Sequence, residues 1–332
     1  MFARWLQRQW FDQRRLTPAL WLLLPLAGIY SLLSGLNRRL AKPVRLPVPV
    51  IVVGNLIVGG AGKTPLTLWL AQQLKARGWR PGIVSRGYGR SSDGVLAVSN
   101  ASTTAEVGDE PLLLARRSGV PVWVGRQRAV AGAALLAEHP KVDVLLCDDG
   151  LQHYALARDV ELVVFDARGV GNGWRLPVGP LRETLLRLAT VDALIGNNFT
   201  GKLPSAKPVF NMTLLPGSFY RLGDPQQSCS AESLRGRGKL FALAGIGNPG
   251  RFFQTLESLG LVCEKHPFPD HHGYSAADLA FAKDGILLMT EKDAVKCAGL
   301  TVGETWVLPV EAELSPALID LILEKLRGRQ AA

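Results

Sequence analysis

The chain has 332 residues, 47% of them hydrophobic and 20% charged. That is enough apolar content for packed cores and excludes a disordered or collagen-like chain. Cys147, Cys229, Cys263 and Cys297 stand far apart with no C-x-x-C pair, which excludes a disulfide framework, argues against zinc and fits a reducing compartment. Residues 1–45 hold eight Lys or Arg and one Asp, a net +7 of the chain's +10. A nucleic-acid binder would more often spread its basic residues over the folded domain, so no nucleic-acid partner is expected.

The basic excess flanks an apolar run. Leu16 to Asn37 is 22 residues without a charge, bracketed by Arg14/Arg15 and Arg38/Arg39. About 20 residues suffice to cross a bilayer as a helix, and Trp21 and Tyr30 suit an interface. The run reads as a membrane-associated helix, spanning the bilayer or lying in its surface with Pro25 bending it. A cleaved signal peptide is not expected, because the apolar stretch is long and no A-x-A site precedes the basic segment; a buried core helix is the competing reading.

From Pro47 strands alternate with helices. VPVIVVGN (48–55) is a continuous apolar run, as a strand buried on both faces requires. Further strands are expected at 81–87, 120–125, 142–149, 160–167 and 191–197. Helices are expected over about 65–77, 110–118 and 129–138. The alternation implies a mostly parallel, doubly wound α/β sheet. Residues 198–237 are weak in pattern, with a short strand near 208–215, and the domain join is placed there. A second α/β set follows: strands at 239–245, 261–266 and 285–291, with helices near 249–259, 276–283 and 316–327. The expected division is therefore an N-terminal helix with basic flanks (1–45), a nucleotide-binding domain (46–235) and a smaller C-terminal domain (236–332).

The chemistry begins at GNLIVGGAGKTP, Gly54–Pro65. Gly59, Gly60 and Gly62 are expected at positive φ, aiming successive N–H groups into one concavity. The following helix adds its N-terminal partial charge. Residues Ile57, Val58, Gly59, Gly60, Ala61, Gly62, Lys63 and Thr64 form the expected phosphate cradle, Lys63 reaching the β- and γ-phosphates and Thr64 offering a hydroxyl to Mg²⁺. The usual pattern has Gly where this chain has Ile57, so the loop is a G-G-x-G-K-T variant. Asp148 and Asp149 end a neighbouring buried strand and suit Mg²⁺, held directly or through water. ATP with Mg²⁺ is the implied cofactor set. Gly245-Ile-Gly-Asn-Pro-Gly250 imitates a dinucleotide fingerprint, with Glu264 where a ribose acid would lie; Pro249 at a helix start gives the turn a structural reason instead. No N-K-x-D guanine motif is present.

The ordered set VGNLIVGGAGKTP (53–65), VSRGYGR (84–90), VGDEPLLL (107–114), DDGLQH (148–153), GNGWRLPVGPLRE (171–183), AGIGNPGRFF (244–253), FPDHHGY (268–274) and LLMTEKDAVKC (287–297) resembles the tetraacyldisaccharide 4′-kinase family over nearly the whole chain. The resemblance implies transfer of the ATP γ-phosphate to the 4′-hydroxyl of a tetraacylated glucosamine disaccharide 1-phosphate, at the cytoplasmic face of the inner membrane. It implies a glycolipid substrate and membrane lipid as partners, with no protein partner. By that resemblance Asp109 is the base and His271, first of the pair in PDHH, its partner. Glu183 is a further Mg²⁺ ligand, and Arg182 and Arg128 steady the phosphates, with Arg126 competing with Arg128. Arg86 and Tyr88 follow a strand end and face nucleotide or glycolipid. Alone, Asp109 would be read as a helix cap. The rival is a membrane-associated switch ATPase, which shares the loop but has no need of Asp109 and His271.

Overall fold

The computed structural model describes residues 2–11, 16–201, 203–297, 299–300 and 303–330. The first eight strands are β1 (Val50–Gly54), β2 (Pro81–Ser85), β3 (Leu96–Ala97), β4 (Val122–Val124), β5 (Val144–Asp148), β6 (Val160–Asp166), β7 (Ala193–Asn197) and β8 (Val209–Pro216). Next come β9 (Phe219–Arg221), β10 (Asp224–Cys229), β11 (Leu240–Ala244), β12 (Glu264–Pro267), β13 (Ile286–Thr290), β14 (Glu304–Leu308) and β15 (Val310–Leu314).

They form two sheets. The nine-stranded one runs β15-β8-β7-β6-β1-β5-β2-β4-β3 and the six-stranded one β10-β9-β14-β13-β11-β12. In the larger sheet only the outer pairs, β15 with β8 and β3 with β4, are antiparallel. Parallel strands need cover on both faces, and β1 shows why its sequence is continuously apolar. Ile51 and Val53 enter the core under the helix Lys63–Ala76, while Val50 and Val52 enter the opposite core with Leu135 and Cys147. In the smaller sheet β11 divides likewise, Ala242 and Ala244 to one side and Phe241 and Leu243 to the other.

The chain's division differs from the expected one. It leaves the first sheet after Pro216, so β9 and β10 belong to the second, and it returns through Pro309 to β15. The reason is packing. Leu314, Leu318, Ile319, Ile322, Leu323 and Leu326 complete the core that contains Ile51 and Leu146, so residues 310–330 belong with the nucleotide-loop sheet and not with the second.

The apolar N-terminal run does not form one long helix. It is a short helix, Pro18–Trp21, a turn, and a helix Leu24–Leu40 with Pro25 in its first turn. Among the described residues no helix is long and apolar enough to cross a membrane. Leu20 and Ala27 pack with Val178. Leu22, Leu26, Ile29, Leu33, Leu36 and Leu40 are exposed, and their spacing of four and three residues makes one stripe along the outer face. Arg38 and Arg39 close its C-terminal end; Arg14 and Arg15 lie outside the described residues.

Candidate active site

The loop after β1 and the DDG turn after β5 emerge side by side, because these strands are paired neighbours. Open α/β sheets collect ligands at such carboxyl ends. Gly62 caps the helix Lys63–Ala76 with φ +100°, and Gly59 has φ +95°. Gly60, contrary to expectation, is outside the positive-φ region. A Cβ on Gly62 would stand 2.5 Å from Asn197 Nδ2, and that same amide donates to the Ala61 carbonyl at 2.9 Å. Ile57 is fully buried and bridges to Leu181, while Val58 N–H donates to the Pro180 carbonyl at 3.0 Å. The loop's first half is thus a strand-like partner of the segment 180–182. Lys63 is buried; its Nζ donates to Asn55 Oδ1 at 3.3 Å and lies 3.5 Å from Asp149 Oδ1. Thr64 is buried beside it on the first turn.

The two aspartates differ. Asp148 is fully buried; Thr67 donates to its Oδ1 at 3.1 Å and its Oδ2 has no hydrogen-bond partner. Burial, reinforced by the charge of Glu110, pushes its pKa up to about 7. Asp149, at φ +49°, is opposed by burial but surrounded by Lys63, Arg182 and Arg128, whose charges outweigh it and hold the carboxyl below its ordinary value. Arg182 Nη1 donates to Asp149 Oδ1 and to Gln152 Oε1, both at 3.3 Å. Arg128 is buried, with Nη1 on the Arg126 carbonyl at 2.9 Å and Nη2 3.5 Å from the Asp149 carbonyl. Arg126 is exposed and pairs with Asp93 instead, so of the two competing arginines Arg128 is the one at the site. Glu183 is buried, its carboxylate accepting from Gln152 at 3.0 Å and from the Tyr154 hydroxyl.

Asp109 opens the helix Asp109–Ser118 behind Gly108 at φ +90° and is buried. Its Oδ2 meets His271 Nδ1 at 2.9 Å. Burial raises the Asp109 pKa, but the His271 hydrogen bond and the Lys292 charge prevail and leave it lowered. The same hydrogen bond raises that of His271, whose ring lies 5.1 Å from that of the exposed Tyr88. His272 turns instead toward Phe268 and Tyr274. Arg86 is exposed.

The second sheet presents its own carboxyl edge to the first. Besides His271, Lys292 Nζ donates to Glu110 Oε1 at 2.6 Å and Arg251 Nη2 to Asn197 Oδ1 at 3.2 Å. Glu110 is close enough to feel the charge of Lys63 and to act on Asp148, so Asp109 and the phosphate loop share one cleft. A Cβ on Gly247 would lie 3.8 Å from Gly60 N; the fingerprint-like turn therefore faces the phosphate loop, and Glu264 is exposed in pairs with Lys239 and His266.

Several site residues carry no motif signal of their own. Asn55 bridges Lys63 and the Gly59 carbonyl, Gln152 joins Asn55, Arg182 and Glu183, and Arg168 holds the Gly60 carbonyl at 3.0 Å. Asn55, Gln152 and Lys292 fall inside motif segments at positions to which phosphate binding assigns no role, and Arg168 falls outside all of them.

The tetraacyldisaccharide-1-P 4′-kinase family model matches residues 19–327. The chain is 78% identical to the tetraacyldisaccharide 4′-kinase of Dechloromonas aromatica (strain RCB), covering all of both chains, and 51% identical to that of Azoarcus sp. (strain BH72), over 95% of this chain and 94% of the relative. It is also similar to the crystal structure of "apo" form LpxK from Aquifex aeolicus in complex with ATP, with TM-score 0.79 and 32% identity over 93% of this chain and 99% of that one. The chain belongs to the tetraacyldisaccharide 4′-kinase family.

Proposed function

We propose that the cleft transfers the terminal phosphoryl group of ATP to the 4′-hydroxyl of a tetraacylated glucosamine disaccharide 1-phosphate, a lipid A precursor. The observation that carries this reading is the Asp109–His271 pair, 2.9 Å apart, with Asp109 from a helix packed on the first sheet and His271 from the loop after β12 of the second, in the cleft that holds the phosphate loop. A switch ATPase has no use for such a pair, and family membership weighs the same way.

The amides and glycines of Gly59–Thr64 cradle the phosphates, and Lys63, Arg128 and Arg182 offset the charge that builds on the transferring group. Asp109 accepts the hydroxyl proton. Its lowered pKa keeps it ionised, and because the transition state is loose a strong base is not required. His271, bonded through Nδ1, fixes the carboxylate and takes part in passing the proton on.

The donor set fits Mg²⁺. Among the described residues no cluster of three or more ligating His, Cys, Asp or Glu side chains occurs, but Mg²⁺ usually takes one or two carboxylates plus phosphate oxygens and water. The unpartnered Oδ2 of Asp148 is a buried oxygen that such an ion would satisfy. Asp148, Asp149, Thr64 and Glu183 would hold it, Glu183 oriented by Gln152 and Tyr154; when bound it supplies charge neutralisation at the phosphates.

The exposed leucine stripe with Arg38 and Arg39 supports docking on the cytoplasmic face of the inner membrane. The test is direct. Purified full-length chain with Mg-ATP and the disaccharide lipid is expected to yield a phosphorylated lipid, seen by mass spectrometry. ATP hydrolysis without that product would instead favour the switch.

A further inference from the structure

The helix Leu24–Leu40 touches the catalytic segment as well as offering an outer apolar face. The Tyr30 hydroxyl donates to the backbone carbonyl of Arg182 at 3.1 Å. That oxygen belongs to the planar peptide unit joining Arg182 to Glu183, so a bond to it restrains the rotation of both residues. The same segment is tied on its other side to the phosphate loop: Arg182 N–H donates to the Leu56 carbonyl at 2.7 Å, and Val58 N–H to the Pro180 carbonyl at 3.0 Å. From this backbone the Arg182 side chain reaches Asp149 and Gln152. The helix also reaches the site a second way. Arg38 Cζ stands 5.3 Å from the centre of the Tyr154 ring, and the Tyr154 hydroxyl donates to Glu183.

We propose that Tyr30 is a positioning residue for phosphoryl transfer: its hydroxyl holds the Arg182–Glu183 peptide against the phosphate loop, so the helix that faces the membrane also sets the nucleotide site. This rests on the kinase reading above. A hydrogen bond that merely glued the helix down would act on the lipid side, through docking and KM for the acceptor. A bond that orients Arg182 and Glu183 acts on the nucleotide side.

Tyr30→Phe separates the two, because it removes one oxygen and keeps the ring. With wild-type turnover of the lipid as the reference for the kinase reading itself, full-length Tyr30→Phe is expected to bind Mg-ATP about 3- to 10-fold more weakly by calorimetry, the range for one lost hydrogen bond. Its kcat in detergent–lipid mixed micelles is expected to fall by a similar factor. KM for the lipid and recovery on vesicles are expected to stay at wild-type values, and the melting temperature to fall by no more than about 1–3 °C, the cost of one hydrogen bond. The proposal is overturned if Mg-ATP affinity and kcat are unchanged, or if the loss appears in lipid KM and vesicle recovery alone. It is equally overturned if the melting temperature falls by more than about 5 °C, since the weaker binding would then report a loosened fold.

Discussion

Asp109 illustrates how a residue with two ordinary roles is committed to one. Its position at the head of a helix would suit a cap, and its Oδ1 does accept from the next backbone N–H, that of Glu110, at 2.9 Å. The other oxygen is turned across the cleft to His271, where a cap needs no partner. Asp109→Asn keeps the shape and removes the proton acceptor, so kcat is expected to fall about 10²- to 10⁴-fold with little change in Mg-ATP affinity. Stopped-time lipid phosphorylation beside calorimetry checks it, and an equal loss of nucleotide binding would move Asp109 from chemistry to structure. Much of this site was legible because phosphate binding demands a fixed order of glycine, lysine and hydroxyl along one turn. Asn55 and Gln152 were not, since their roles exist only once β1, β5 and the 180–183 segment are adjacent. Nor was the conformation of Gly60, where nothing stands within 4 Å of a would-be Cβ and no positive φ is required.

Among the elements, those buried on both faces announced themselves and those at edges did not. β1 and β11 are apolar throughout, and β5 is apolar up to its closing Asp148; all three are legible in the sequence. The edge strand β10, DPQQSC, is mostly exposed, and an exposed edge is free to be polar, so it leaves no pattern. β14 and β15 meet at Pro309 and enter different sheets; β14 is nearly all buried and β15 alternates over only five residues, runs too short to be told from helix or loop by period alone. The N-terminal segment shows the opposite effect: composition suggested one long apolar helix, and the break before Pro25 leaves a shorter amphipathic one. Leu33 and Leu36, 59% and 47% exposed, contribute little to the fold and face outward. Changing both to Glu is therefore expected to lower recovery on anionic vesicles by about tenfold or more while leaving the melting temperature within about 1 °C. Flotation and thermal melting decide this, and undiminished flotation would locate membrane contact on another surface.

At the scale of the whole molecule, two short connections, Gly217–Ser218 and Pro309, join the sheets, and charged pairs span the cleft between them. Besides Lys292–Glu110, Arg117 pairs with Glu291, and the ends of both sheets meet at Asp109–His271. That last pair makes the closed arrangement sensitive to pH with a definite sign. The Asp109 pKa is held below 3.8, so its contribution is present above that value and is lost as pH falls through the lowered one. The His271 pKa is held above 6.5, so its contribution is full below that value and is lost as pH rises through the raised one. The pair therefore ties the sheets most strongly between those limits and weakens on the alkaline side to a neutral hydrogen bond. Wild type is expected to melt about 1–3 °C above His271→Ala near pH 5 to 6, since a partly exposed pair is worth only about 1 kcal/mol. The gap is expected to narrow steadily toward pH 9 as the imidazole loses its proton. A gap that stays constant across that range would mean that His271 holds the cleft by packing alone, against Tyr88, and that the charge on its ring does not help close it.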